Sequence, residues 1–363
     1  MSRITIITNI PSPYRVDYFY YLQTNWIQDR VSVIYTSSNE DNRCWTVSEE
    51  RIRNSDFLKS RVFKIPTGMD VRYLHLPSGI DKVLAAQAPD VVVAWEYNPA
   101  ALQSLLWCRR HGVKFIHGTD GTLHSERNIG KFQKLARKVI CANADACVAS
   151  STKAKEKLLA WGVPEERIFT SLLTEDVSRF QNLELSPVPG RLLYVGSMIP
   201  RKGLDLLIDS LRYVTHPFCL HIVGNGESDQ IADLKRQAQA AGIEEKLVFR
   251  GFLEGRQLLD EYRHAGAFVL PTREDCFGLV LLEAACTGIP VVSSKYADGA
   301  YDVLEDATNG FIADPYRPEE FSAAVERALE AQPVPQEAKK RIERFSFESV
   351  SRGFRDALEY VMR

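Results

Sequence analysis

Two stretches in the second half of the chain combine residue types and spacings suited to holding a diphosphate. In "LLYVGSMIPRKGLDLLIDSL" an apolar run ends at Gly196, a turn follows, and Lys202-Gly203 opens an amphipathic run. A helix start offers unpaired backbone amides and a partial positive charge. Arg201 and Lys202 add full charges at the same place. The spacing is not that of a P-loop, which needs four residues between its glycine and GK[ST]. Read alone, "PRKG" is equally a surface turn with two solvated cations. The second stretch, "PTREDCFGLVLLEAACTGIPVV", sets Asp275 and Glu283 around Phe277-Gly278 with seven residues between the two carboxylates. Asp275 falls in the turn after a strand, and Glu283 two turns into a helix that starts near Phe277. A carboxylate there accepts hydrogen bonds from both hydroxyls of a ribose. The plainer reading is a helix-start carboxylate and an exposed helical glutamate.

The first half has candidates of a different kind. "TNIPSPYRVD" joins the strand-like "RITIIT" to the helix-like "YRVDYFYYL" through Pro11, Ser12 and Pro13, with no glycine. Only glycine lets the backbone of such a turn close on a phosphate, so the phosphates belong to the other half. Ser12 reads as a helix cap and Pro13 as its first-turn residue, which leaves Tyr14 and Arg15 at the mouth of the first strand. In "KFIHGTDGTLHSERN" His117 closes a strand, and Gly118, Thr119 and Gly121 form a loop before a helix. Asp120 and Glu126 are candidates for hydroxyl contacts and Arg127 for an anion. Glu96, after "VVVAW", has a similar strand-end position. A structural strand-end histidine and a capped helix with no ligand remain open readings. The helix carrying Lys131, Lys134, Arg137 and Lys138 is basic and amphipathic. It suits anionic lipid, at roughly 1 kcal/mol per cation near a surface, or plain solvent.

The elements that must position these residues alternate along the chain. At 363 residues it suits two domains. In the first half "VSVIYTS", "DVVVAW", "VKFIHG" and "DACVAS" read as strands; "NPAALQSLLWCRR" and "ERNIGKFQKLARKVICAN" have helical spacing; residues 38–60 read as a long surface loop. "LELSPVPGR" reads as a linker. A second series follows: "RLLYVG", "FCLHIVG", "KLVFRG", "GAFVLP", "PVVSS" and "GFIAD". Continuous apolar strands separated by helices argue parallel sheets covered on both faces. The fold class is therefore α/β, two tandem Rossmann-like domains. Their expected extents are 1–185 and 186–345, with a helix at 346–363 that starts at the N-cap Ser346 and packs back on the first domain.

Bulk properties narrow the setting. The chain is 45% hydrophobic and 25% charged, with no apolar run near the ~18 residues that span a bilayer. Nothing at the start reads as a signal peptide. Seven scattered cysteines, Cys44 among them, form no CxxC, which favours a reduced cytosolic setting over a disulfide or zinc framework. The net charge of -2 divides into +4 for residues 1–185 and -6 for the rest. A mildly basic first half tolerates an anionic surface or acceptor and is too weak to argue nucleic acid.

Both diphosphate signals fall in order in one domain, and with them the chain resembles family 4 glycosyltransferases, retaining nucleotide-sugar-dependent enzymes of GT-B fold. The resemblance rests on "VGSMIPRKGLDLLIDSL", "HIVGNGE", "FRGFL", "PTREDCFGLVLLEAACTGIPVV", "DATNGFIADP" and the opening "NIPSPYRVDYFYYL". It implies two domains facing a cleft, with the donor bound in the second and the acceptor in the first. Lys202 matches the family's diphosphate lysine. Ser197 stands where the family has an arginine, and Arg201 is the candidate replacement. The family's carboxylate pair is usually two glutamates; here Asp275 replaces the first. By resemblance Glu283 holds the ribose, while Asp275 and the amides of Phe277, Gly278 and Leu279 meet sugar and phosphates. Gly196, Gly224 and Gly226 lie close to the nucleotide, and Phe252 and Leu253 flank the base. His117 stands beside the transferred sugar, and Tyr14, Arg15, Glu96, Asp120, Glu126 and Arg127 line the acceptor side. No Asp-x-Asp occurs in the sequence, which agrees with chemistry that needs no metal or other cofactor.

The implied function is retaining transfer of a sugar from a nucleotide diphosphate sugar, UDP- rather than GDP-linked, to a saccharide or lipid-linked saccharide in envelope or exopolysaccharide biosynthesis. The implied location is cytoplasmic, peripheral on the inner face of the plasma membrane. A nucleotide-sugar epimerase and a non-catalytic nucleotide-sugar-binding protein are the alternatives.

Overall fold

The computed structural model describes residues 1–41, 45–304, 310–334, 340 and 342–363. Cys44 and residues 306–309 of "DATNGFIADP" lie outside the described residues. The chain forms two compact units. The first holds Met1–Thr67, Val71–Asp176 and Phe345–Arg363; the second holds Gly68–Asp70 and Val177–Arg344.

The first unit is built on seven parallel strands in the order β3-β2-β1-β6-β7-β8-β9. They are β1 (Arg3–Thr8), β2 (Arg30–Tyr35), β3 (Ser55–Phe57), β6 (Val91–Trp95), β7 (Lys114–Thr119), β8 (Ala146–Ala149) and β9 (Ile168–Thr170). An antiparallel hairpin, β4 (Lys59–Pro66) and β5 (Val71–Ser78), is inserted between β3 and β6. The helices are α1 (Pro13–Asn25), α2 (Ile80–Gln87), α3 (Pro99–His111), α4 (Lys131–Asn143), α5 (Thr152–Ala160) and a C-terminal helix, Phe347–Met362.

Strand pleat sorts the apolar residues onto two covered faces. On β6, Val91, Val93 and Trp95 join α1 and the C-terminal helix, whereas Val92 and Ala94 join α2 and α3. Each of these valines contributes about 1.5–3 kcal/mol through burial. The C-terminal helix closes the first face with Phe354, Leu358 and Val361, and its Ser346 hydroxyl accepts from the Ser349 amide at 3.2 Å.

Three local expectations need correction here. Residues 38–60 are not one loop: β3 pairs with β2 from Val33↔Ser55 and β4 begins at Lys59. Backbone pairing needs no apolar alternation, so this short edge strand left no periodic signal. The helix expected from Glu126 starts at Lys131, because Gly130 is extended and its amide donates to Gln133 Oε1 at 2.9 Å. Ser12 occupies the N-cap position of α1 and Pro13 its first turn, but the Ser12 side chain makes no capping bond.

The second unit has six parallel strands in the order β12-β11-β10-β13-β14-β15. They are β10 (Arg191–Val195), β11 (Cys219–Val223), β12 (Leu247–Gly251), β13 (Ala267–Leu270), β14 (Val291–Ser294) and β15 (Gly310–Ala313). Around them lie α6 (Ser178–Gln181), α7 (Leu204–Leu211), α8 (Ser228–Ala240), α9 (Gly255–His264), α10 (Leu279–Thr287), α11 (Ala300–Val303) and α12 (Pro318–Glu330). Leu192, Tyr194, Ile222, Val269 and Val292 pack beneath α7, α8 and α12. The chain enters this unit at Val177, ahead of the expected 185/186, because Phe180 of α6 is buried edge-on to the Tyr262 ring.

In both sheets the strand order reverses beside the first strand of the unit, between β1 and β6 and between β10 and β13. At such a switch point neighbouring loops run to opposite sides and leave a crevice at the carboxyl ends of the strands. No helix among the described residues is long and apolar enough to cross a membrane.

Candidate functional site

The crevice of the second unit gathers most of the residues expected to hold the donor. Gly196 follows β10 and its amide donates to Val223 O at 2.9 Å. The loop after β11 lies directly on it. A Cβ at Gly224, where φ is +139°, would stand 2.0 Å from Gly196 O, and one at Gly226 would meet the Met198 side chain at 2.8 Å. These glycines are thus required by the approach of the two loops. Ser197 O accepts from the Tyr194 hydroxyl at 2.9 Å. Phe252 follows β12 and is 44% exposed, so ordinary core packing does not account for it; Leu253 beside it is half-buried.

After a 3₁₀ turn at Pro200–Lys202, Gly203 takes φ +70° and starts α7. Its backbone passes so close to β13 that a Cβ would be 2.2 Å from Pro271 O. That approach brings Lys202 Nζ to 2.6 Å from Asp275 Oδ2, while Asp275 Oδ1 accepts from the Phe277 amide at 3.3 Å. Burial alone would raise the Asp275 pKa, but Lys202 and Arg201 outweigh it and hold the carboxyl below its ordinary value. Asp275 therefore acts as an internal anion for both the Lys202 ammonium and the Phe277 amide.

Arg201 donates to Glu274 O at 3.1 Å and to Asp70 at 2.9 Å. Burial would lower its pKa, yet Asp275 and Asp70 keep it above the usual value, so it is a fixed cation. Gly278, at φ +80°, is the N-cap of α10, and Leu279 begins the helix. Glu283 lies about one turn into α10 instead of two, and its Oε2 accepts from Tyr262 at 2.7 Å.

Sequence reasoning missed Arg273 and Tyr262. Arg273 forms a bidentate pair with Asp205 at 2.7 and 2.6 Å and donates to Pro200 O at 2.6 Å, pinning the 200–205 turn. Its charge inside "PTRED" was a signal that went unread. Tyr262 left none, since nothing in sequence ties it to Glu283.

The first unit has a crevice of its own. Arg15 follows β1, Glu96 follows β6 and Asp120 follows β7. Arg15 Nη2 lies 2.6 Å from Asp120 Oδ2 and 3.6 Å from Glu96 Oε1, and its Nε donates to the Tyr14 hydroxyl at 3.2 Å. Trp95 Nε1 donates to Asp120 Oδ1 at 3.2 Å. Arg15 is thus held by carboxylates of its own chain, which corrects its expected freedom to grip an acceptor anion. Glu96 has φ +70°, a left-handed conformation rare for a residue with a Cβ. Burial, helped by the Asp120 charge and opposed by Arg15, pushes its pKa up to about 8.

Three other residues are placed elsewhere. His117 is fully buried on β7, on the same face as Phe115, with its ring 4.3 Å from Tyr97 between centroids. Burial, with Lys157 and Arg137 nearby, lowers its pKa to about 3. The pleat turns it inward, away from the strand end where contact with a sugar was expected. Glu126 is taken by Arg137 at 2.7 and 2.9 Å and by Lys157 at 3.4 Å, so it anchors its loop. A Cβ at Gly121 would stand 2.6 Å from Glu126 Oε1, which shows how tightly the loop rests on this cluster. Arg127 is exposed and donates to His124 O at 2.5 Å within its own loop.

Comparison with known proteins finds a family match in each half of the chain. Residues 27–170 match the profile of Glycosyltransferase Family 4, and residues 179–345 that of Glycosyl transferases group 1. An uncharacterized glycosyltransferase, MJ1607 of Methanocaldococcus jannaschii, is 26% identical over 68% of this chain and 68% of its own. A D-inositol 3-phosphate glycosyltransferase of Xylanimonas cellulosilytica is 27% identical over 49% of this chain and 47% of its own, so about half the length of that relative is spanned. Among solved structures, the lipopolysaccharide outer core galactosyltransferase WaaB superposes with a TM-score of 0.77 at 18% identity, covering 98% of this chain and 99% of WaaB. HepE of Anabaena, solved with UDP and glucose, superposes at 0.78 and 17%, covering 99% of this chain and all of HepE (100%).

Proposed function

Since the chain belongs to glycosyltransferase family 4 and has the GT-B fold, we propose that it is a retaining hexosyltransferase using a nucleotide diphosphate sugar, UDP- rather than GDP-linked. The acceptor is a saccharide or lipid-linked saccharide of envelope or exopolysaccharide biosynthesis. The observation that carries this reading is the Lys202–Asp275 pair, with the Phe277 amide, at the switch point of the second sheet. HepE, which shares the fold, was solved with UDP-glucose, and that supports a uridine donor here.

In this reading Lys202, Arg201 and the first amides of α10 take the diphosphate, and Glu283 takes the ribose hydroxyls. The acceptor oxygen bonds to the anomeric carbon on the face from which the donor phosphate leaves. The bond from that carbon to the phosphate oxygen breaks, and the hydroxyl proton passes to the departing phosphate. Cations and helix amides stabilise the growing charge, a contribution of about 2.7–4 kcal/mol for a single well-placed donor. No metal is assigned a role; the cations and the helix start take it instead. Asp120 and Glu96, at the switch point of the first sheet, accept hydrogen bonds from acceptor hydroxyls.

The test is transfer from UDP-sugars to a panel of saccharide acceptors, with and without a chelator, reading the anomeric configuration of the product by NMR. A retained α-linkage from an α-donor, unaffected by chelator, is expected. Conversion of the donor sugar with no acceptor present would identify an epimerase, and donor binding without nucleotide release on any acceptor would identify a binding protein.

A further inference from the structure

Helix α4 turns an apolar stripe outward with nothing among the described residues laid over it. Phe132 is 88% exposed, Leu135 58% and Val139 39%, and their spacing of three and four places them along one side of the helix. Lys131, Lys134 and Lys138 are exposed along one flank of the stripe, and "KFQKLARKVICAN" contains no aspartate or glutamate. Among the described residues no carboxylate pairs with those three lysines. The fourth cation, Arg137, points inward to Glu126. Exposed leucines also occur on neighbouring segments: Leu123 in the preceding loop and Leu106 on α3, which packs alongside α4. Single exposed apolar residues are ordinary, but a row of them rimmed by one sign of charge marks an interaction surface.

We propose that α4 docks on an anionic lipid bilayer, with Phe132, Leu135 and Val139 entering the boundary between headgroups and acyl chains and Lys131, Lys134 and Lys138 meeting lipid phosphates. The charge pattern chooses this occupant. A second copy facing the same stripe across a twofold axis would set the three lysines against their own equivalents. A bilayer instead offers apolar depth under a layer of negative charge, which is what this face complements. This surface needs no catalytic residue, so it stands or falls apart from the transferase reading.

The experiment is co-sedimentation of the full chain with vesicles of phosphatidylglycerol in phosphatidylcholine, and of phosphatidylcholine alone. Binding is expected only to the anionic vesicles and should weaken with salt. Phe132→Ser should reduce affinity by about tenfold or more, and Lys134→Gln by about fivefold. Both residues are exposed, so both variants should keep the melting temperature of the parent. Failure to sediment with anionic vesicles overturns the proposal. So does a Phe132→Ser variant that binds as well as the parent, or polyglutamate that binds as tightly as the vesicles. A lipid-free dimer abolished by Phe132→Ser would assign the face to a second copy and likewise overturn it.

Discussion

Lys202 Nζ and Asp275 Oδ2 stand 2.6 Å apart although they are 73 positions apart in sequence, and the pair joins the loop after β10 to the loop after β13 across the point where strand order reverses. Because Asp275 also accepts from the Phe277 amide, the carboxylate keeps both donors aimed at one spot before any ligand arrives.

Lys202→Ala should cut turnover at least about tenfold, since one donor at a developing anion is worth about 2.7–4 kcal/mol. Removing one member of a mostly buried ion pair also destabilises, so the melting temperature should be read beside the rate. Asp275→Asn frees the same lysine: it should tighten binding of free UDP by calorimetry while lowering turnover. An unchanged rate in Lys202→Ala removes that residue from the phosphate site.

Glu283→Gln should weaken free UDP roughly tenfold by calorimetry, the scale of a hydrogen bond to a charged group. Folding should survive, because the amide oxygen of glutamine can still accept from Tyr262 as Glu283 Oε2 does. Unaltered affinity would reassign that carboxylate to packing.

Glu96 predicts a pH dependence. Its folded pKa, about 8, lies above the model-peptide value of 4.5, so the folded chain binds the proton more tightly than the unfolded one. Stability from this group is therefore full below about pH 4.5 and declines as pH rises toward 8. A third of the Glu96 side chain reaches solvent, which tempers the size of the decline. Glu96→Gln should melt higher than the parent at pH 9, with the gap closing by pH 5; parallel melting curves across that range would contradict the assignment.

Gly353→Ala tests the seat of the C-terminal helix. Alanine would improve helix propensity by about 1 kcal/mol. Its Cβ, however, would stand 1.8 Å from Thr170 O on β9, and the Ser171 hydroxyl bonds to Val350 O at the same junction. The clash should win, lowering urea-unfolding stability by at least about 2 kcal/mol; a stabilised variant would show that the helix does not sit against β9 in solution.

Apolar runs told the strands apart well, from "RITIIT" to "GFIAD", because a parallel strand buried on both faces leaves a continuous hydrophobic word in the sequence. The two loops at the switch point of the second sheet were legible because Arg201, Lys202 and Asp275 adjoin strand ends and glycines. Parity was not: whether His117 faces core or crevice depends on the pleat, and one residue of register decides it. Nor were partners legible. Arg15, Glu126 and Glu283 each look available when read alone, and each is met by a residue from another element: Asp120, Arg137 and Tyr262. The β4–β5 hairpin was hidden by the polar residues interleaved in its strands.

The first unit recruits Phe347–Met362 to cover β8 and β9. On the ribosome those residues are joined to the chain only after β10 to α12 have been made. The sheet translated first must therefore wait, one face unsheltered, while the sheet translated second can already close, so birth order and completion order are inverted. Nascent chains halted before Phe347 should need a chaperone for their amino-terminal part alone.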